Sequence, residues 1–398
     1  MDIMPMNLPF PLGDMPVETF LRDYWQKKPL VIRQAFPNFT SPVAADELAG
    51  LACEADVESR LIAFDPASDS WEMEQGPFAA DRFSSLPERN WTLLVQAVDH
   101  WVPEAHALLR RFNFVPNWRV DDLMISYAVD GGGVGPHYDN YDVFLIQASG
   151  TRRWEFGGLY DEHSPKRDDA PVMILPEWHA EESFDLQPGD MLYLPPRIGH
   201  NGIAVGDDCL TCSIGFRAPA IHEMLSGFAD FMGERIGHDE RYTDADLTRP
   251  TDPGEISATA LENTRQRLLA LFKDEALFSQ WFGRLVTEPK YPELAADDAD
   301  SVSHDDLLTF LQDEGELYQN EGSRLAWSAI GHDILLFADG EHYALSSESA
   351  ISLARHLCLY QPVDLNCVDI TDAQSLDLLC ELLKRGLLYS ESTEDDDA

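Results

Sequence analysis

Positive charge is scarce in this chain: 28 lysines and arginines stand against 71 aspartates and glutamates, for a net charge of -43. A surface of that sign repels phosphate, which argues against DNA, RNA or an anionic membrane as partner and suits a basic polypeptide. Acidity of this degree also serves solubility or salt tolerance, and the charge alone does not separate these uses. Cysteine is sparse as well. Six, Cys53, Cys209, Cys212, Cys358, Cys367 and Cys380, are scattered over 398 residues, a usage that fits reduced cytoplasmic thiols and not a disulfide framework. Cys209 and Cys212 have the spacing of a zinc or redox pair. They lie in the strand-like "CLTCSIGF", however, where a period of two turns them to opposite faces. No apolar run approaches the ~20 residues of a membrane helix. The opening "MDIMPMNLPFPLGDMP" lacks the basic start and apolar centre of a secretory signal, so a cytoplasmic location is expected.

The length predicts a large first domain followed by smaller ones. "VETFLRDYWQKKPLVIRQAF" reads as a short amphipathic helix, Pro29, then a β-branched strand. Helix-like stretches follow to about residue 112, including "NWTLLVQAVDHWVPEAHALLRRF", where apolar residues recur at three and four. Between residues 120 and 217 the texture becomes short strands with glycine and proline punctuation: "DDLMISYAV", then "DVFLIQA" and "RRWEF" about a Ser149-Gly150-Thr151 turn, then "PGDMLYLPP" and "CLTCSIGFRAP". Such a series indicates a β-sandwich or barrel. Residues 221 to 282 are mostly helical, for core packing or a dimer interface. The acidic "ELAADDADSVSHDD" reads as a linker, and after it come helices around a hairpin with an Asp339-Gly340 turn. That pattern resembles a winged helix, here of the wrong charge for DNA and better suited to protein contact or packing. "ESTEDDDA" is an acidic tail.

His-x-Asp occurs twice, about as often as chance supplies it in so acidic a chain, so the triplet alone carries no weight. His304-Asp305-Asp306 precedes a helix that Asp305 or Asp306 can cap, and His179-Ala180-Glu181 sits in a polar stretch; neither has the setting of a ligand pair. His137-Tyr138-Asp139 follows a glycine-rich turn and enters a strand, which places His137 and Asp139 on one face. In "LQPGDMLYLPPRIGHNG" a turn, a short strand and Pro195-Pro196 deliver His200 just beyond. Two histidines and a carboxylate are the facial triad of non-haem Fe(II) oxygenases; otherwise these are three polar residues at strand ends that never meet. Such an enzyme usually takes 2-oxoglutarate, whose far carboxylate needs a fixed cation. Arg152 is in place for it, while Arg153 has the opposite parity and faces outward. Ser126, inward on an earlier strand, adds a hydroxyl to the same carboxylate or serves the structure.

Taken together, "YWQKKPLVIRQ", "GGGVGPHYDNYDVFLIQASGTRRW", "PGDMLYLPPRIGHNG" and "SIGFRAP" resemble the bacterial ribosomal oxygenases of the JmjC group. The resemblance implies a mainly β plus α fold: a double-stranded β-helix of the JmjC/cupin jelly-roll type with N-terminal helical elements over residues 1–217, a helical dimerisation region over 218–295, a winged helix over 296–390 and the tail 391–398. It implies hydroxylation of an arginine in a basic large-subunit ribosomal protein by a homodimer, with Fe(II) on His137, Asp139 and His200 and 2-oxoglutarate on Arg152. Asp130, Tyr138 and Asp142 lie near the metal motif, where an acidic pocket would suit a guanidinium. Three other readings stay open: a cupin enzyme without 2-oxoglutarate, a hydroxylase of histidine or lysine in another protein, and a non-catalytic JmjC-like assembly module.

Overall fold

The computed structural model describes residues 10–294, 302–313 and 315–390; the tail 391–398 and residues 295–301 of the expected linker lie outside them. The chain divides into two compact units, Met1–Ala218 and Pro219–Ala398.

The first unit runs α1 (Val17–Asp23), β1 (Leu30–Ile32), α2 (Ala45–Leu51), β2 (Ser59–Asp65), β3 (Ser70–Gln75), β4 (Trp91–Val95), α3 (Pro103–Leu109), β5 (Val120–Ala128), β6 (Val143–Leu159), β7 (Glu182–Leu186), β8 (Met191–Leu194) and β9 (Ile198–Phe216). The strands form one antiparallel sheet in the order β1-β8-β6-β9-β5-β4-β2-β3, with β7 also paired to β6. The helical expectation for residues 90–112 fails in its first half. "WTLLV" is β4, buried throughout and hydrogen-bonded between β2 and β5, and helical structure begins only at Val98, as the 3-10 turns Val98–His100 and Arg110–Phe112 on either side of α3, which Pro103 opens. A short, wholly apolar run carries no period that separates a buried strand from a buried helix, so the pairing partners decided it. The N-terminal elements therefore include four strands, β1 to β4, as well as helices.

The Ser149-Gly150-Thr151 segment is also not a hairpin. Pairing of β6 with β9 continues on both sides of it across register shifts, so the strand bends without reversing. Gly150 has φ +63°, and a Cβ there would come within 2.7 Å of the Asp208 carbonyl oxygen. Bending folds the ribbon over itself: Val143 and Leu145 before the bend share one apolar cluster with Trp154 and Phe156 after it, joined by Leu186, Leu192 and Leu194. This closure makes the double-stranded β-helix. The alternate residues Phe144 and Ile146 face outward into a second core. There Phe20, Leu48, Leu108 and Phe112 from the helical segments cover Leu123, Ile125, Tyr193 and Ile214. Cys209 lies in an inner cluster with Ala128 and Ala204, whereas Cys212 lies in the outer core, where burial pushes its thiol up to about 12. All six cysteines are free.

In the second unit, α4 (Ile221–Gly233), α5 (Ala258–Leu271) and α6 (Glu275–Thr287) meet through Phe228, Met232, Leu271 and Trp281. There follow α7 (His304–Gln312), β10 (Leu317–Gln319), β11 (Leu325–Ile330), β12 (Asp333–Ala338), β13 (Glu341–Leu345), α8 (Glu348–Leu357), α9 (Ala373–Lys384) and β14 (Leu388–Ser390). The β12–β13 turn has Asp339 and Gly340 both at positive φ, as a two-residue hairpin of that sequence requires. His304 opens α7 and contacts Asp377 at 2.9 Å, and the cap is Ser303, which accepts from the Asp306 amide. The second His-x-Asp is thus a helix start.

Candidate metal centre

His137 and His200 face each other as a lone antiparallel bridge: the His137 amide donates to the His200 carbonyl at 2.9 Å, and the His200 amide to the His137 carbonyl at 2.7 Å. His200 lies within β9. His137, by contrast, is not in a strand, because Pro136 and the glycines before it interrupt pairing and β6 begins only at Val143. Asp139 therefore reaches the centre from a loop and not through strand periodicity. Its carbonyl accepts the Arg197 amide at 2.6 Å. Arg197 holds a left-handed φ of +72° to make that bond, a conformation that nothing in its sequence neighbourhood announces.

Each histidine ring is oriented by its own chain. His137 Nδ1 lies 2.8 Å from the Gly135 carbonyl and His200 Nδ1 lies 3.0 Å from the Ile198 carbonyl. A carbonyl only accepts, so Nδ1 carries the proton and each Nε2 presents a lone pair. Those Nε2 atoms stand 4.0 and 3.5 Å from Asp139 Oδ2, and one ligand atom from each residue lies within 4.8 Å of the others. Three facial ligands at about 2.1 Å from a metal lie about 3 Å apart, so a small contraction completes the site. Burial, then the neighbouring His137, depress the pKa of His200 to about 4, against the opposing pull of Asp139. His200 is neutral at pH 7 and available as a ligand.

Along the same face of the β6–β9 ribbon, Phe156 pairs with His200, Trp154 with Gly202 and Arg152 with Ala204. Arg152 is only 3% exposed, and its Nε and Nη2 have no hydrogen-bond partner among the described residues. A buried guanidinium left in that state costs several kcal/mol until an anion meets it, at about 1–3 kcal/mol per unsatisfied group. Arg153 points the other way and binds Asp185 at 2.8 Å. Ser126 is buried on the inward face of β5, with Thr211 as its cross-strand neighbour.

Of the three residues near the metal motif, Asp142 is fully buried. It accepts from Tyr193 Oη at 2.6 Å, Gln26 Nε2 at 2.9 Å and Arg119 Nη2 at 3.2 Å, which anchors the loop that carries Asp139. Tyr138 is buried and stacks on Tyr160. Asp130 is bound by Arg89 and the Gly206 amide and keeps part of its surface. Asp142 is thus a structural anchor. Asp142→Ala should cost about 3–5 kcal/mol in denaturant unfolding, since it removes the carboxylate partner of Arg119 and the acceptor of two further donors, Tyr193 Oη and Gln26 Nε2; a loss under 1 kcal/mol would show that the anchor is dispensable.

Comparison with known proteins places these features in a family. The JmjC domain family matches residues 107–224 and the ROXA-like winged helix matches residues 268–389. The chain is 36% identical to the ribosomal protein uL16 3-hydroxylase of Escherichia coli K12, covering 94% of this chain and 97% of that one. It is 34% identical to a probable ribosomal oxygenase of Haemophilus influenzae, with 81% of each covered. The structure of the E. coli ribosomal oxygenase YcfD in complex with cobalt and 2-oxoglutarate superposes with a TM-score of 0.84 at 34% identity, over 95% of this chain and 99% of that one. With the bent β6–β9 ribbon and its His-Asp-His centre, this likeness over nearly the whole chain shows that the protein belongs to the JmjC-domain ribosomal oxygenases.

Proposed function

We propose that the protein is an Fe(II)- and 2-oxoglutarate-dependent hydroxylase of an arginine side chain in a basic large-subunit ribosomal protein. One observation carries the reading: His137, Asp139 and His200 converge on one side of a buried strand face, and the unpaired guanidinium of Arg152 waits farther along it. The spacing suits a dicarboxylate that chelates a metal at one end and meets a fork of N–H donors at the other. When bound, iron with 2-oxoglutarate supplies the oxidising power to place one oxygen on an unactivated carbon. The chain's part is geometric. His137 and His200 offer their Nε2 atoms, Asp139 offers a carboxylate, Arg152 fixes the cosubstrate, and the apolar wall of Trp154, Phe156 and Leu194 excludes water.

Support for the substrate is chemical. The relative from E. coli is named for hydroxylating ribosomal protein uL16, and a net charge of -43 attracts a basic polypeptide while repelling DNA. Such a target places the enzyme in the cytoplasm, and no helix of the described residues is long and apolar enough to cross a membrane. The exposed Leu261, Leu268 and Leu269 of α5 support a homodimer through the helical region. The test is incubation with Fe(II), 2-oxoglutarate and ribosomal-protein peptides, followed by mass analysis. A gain of one oxygen on an arginine, absent with His200→Ala, is the expected result. A gain only on histidine or lysine would move the reading to another target, and no gain on any peptide would favour an assembly module.

A further inference from the structure

We infer that Trp154 is a second hydrogen-bond donor to 2-oxoglutarate, a neutral indole N–H that meets one of its oxygens beside the charged Arg152; this rests on the function proposed above. Trp154 is 6% exposed, and its Nε1 is buried with no hydrogen-bond partner among the described residues. Its ring is well accounted for. It lies in the inner apolar cluster and against Gly202, where an added Cβ would come within 2.6 Å of the indole. The polar end is not accounted for, because a buried indole N–H ordinarily finds an acceptor and leaving it unmet costs about 1–3 kcal/mol.

Two inward neighbours on one strand thus carry three orphan donors, Nε and Nη2 of Arg152 and Nε1 of Trp154. The indole stands between the cation and the metal ligands: its ring centre is 5.8 Å from the Arg152 guanidinium carbon and 6.0 Å from the His200 ring centre. A molecule that bridges those two ends must pass the indole, and a carboxylate or keto oxygen provides the missing acceptor. Held by the metal at one end and by Arg152 at the other, an elongated dicarboxylate still keeps torsional freedom in the chain between them. A donor between the two ends removes that freedom, which is why a neutral group there affects affinity without adding charge.

Trp154→Phe removes the N–H and keeps an aromatic ring, but it also trims the outer edge of the indole that packs on Gly202, so Mn(II) affinity is measured beside it as a control on the neighbouring His200. In full-length protein loaded with Mn(II), 2-oxoglutarate affinity read by calorimetry should fall about tenfold, with Mn(II) affinity unchanged. Arg152→Ala, measured in parallel, should fall much further. If Trp154→Phe binds 2-oxoglutarate like the parent while Arg152→Ala does not, the inference about Trp154 is wrong and the proposed function stands. If neither variant changes, the proposed function fails. Loss of Mn(II) affinity in Trp154→Phe would also overturn the inference, since the indole would then act through His200. Should the variant not fold, the unmodified Zn(II)-loaded protein carries the test. One of its nine tryptophan indole N–H signals should shift on adding 2-oxoglutarate but not on adding metal alone, and no shift refutes the assignment.

Discussion

Arg152→Ala should weaken 2-oxoglutarate binding by about 100- to 1,000-fold, because truncating one side of a buried, charge-assisted pair costs about 3–4 kcal/mol. Titration of the Mn(II)-loaded protein measures it directly. The same substitution should raise the unfolding free energy of the cosubstrate-free protein by about 1–3 kcal/mol, since it deletes a buried cation with two unsatisfied donors. Opposite signs for binding and stability are the mark of a residue held in strain for a ligand. A merely structural arginine would lose stability and leave binding alone, and that outcome would return the centre to a cupin enzyme that does not use 2-oxoglutarate. Arg152→Lys keeps the charge but not the planar fork, and should recover part of the affinity.

Loss of a metal ligand is the second large effect. Asp139→Ala or His200→Ala should lower Mn(II) or Co(II) affinity by at least about 100-fold, as each removes one of three protein donors and Asp139 removes the only charge among them. Equilibrium dialysis at neutral pH decides it; parent-like affinity in either variant would remove the triad. The metal-free protein should also show the histidine in its pH dependence. His200 has a folded pKa of about 4, below its unfolded value of about 6.5. Its neutral form therefore supports the fold above pH 6.5, and that support is lost as pH falls towards 4, where the unfolded chain takes up the proton first. His200→Ala should flatten the slope of the stability curve across that window and leave the slope above pH 7 unaltered, whatever the constant cost of the lost packing. Metal should shift the acid limb of the parent to lower pH, because only the neutral ring binds it.

Some of this was legible along the chain because it depends on nearest neighbours. The parity of two along a strand separates Arg152 from Arg153 and Cys209 from Cys212, and in each case the structure turns the two residues to opposite sides. Punctuation by glycine and proline marked the turns at Pro188-Gly189 and Asp339-Gly340. The same period of two, carried two residues past Arg152, points to Trp154, a signal available in the sequence and not used there. The helical reading of residues 90–95 fails for the converse reason: an unbroken apolar run has no pattern, and only its hydrogen-bonding partners β2 and β5 make it a strand.

What the sequence by itself determined is the inventory and its order: an acidic chain with few free thiols, a strand-rich middle, a His-x-Asp after glycine, a distant histidine and a cation between them. What only the tertiary structure decided is convergence. His137 and His200 are joined by a bridge of two backbone hydrogen bonds, Asp139 is carried by a loop that the bonds of Asp142 and the Arg197 amide hold, and the turn at Gly150 became a bend that closes the barrel. Those facts rest on contacts between residues far apart in the chain, where local propensity has no voice and the pairing and packing of distant segments determine which side chains meet.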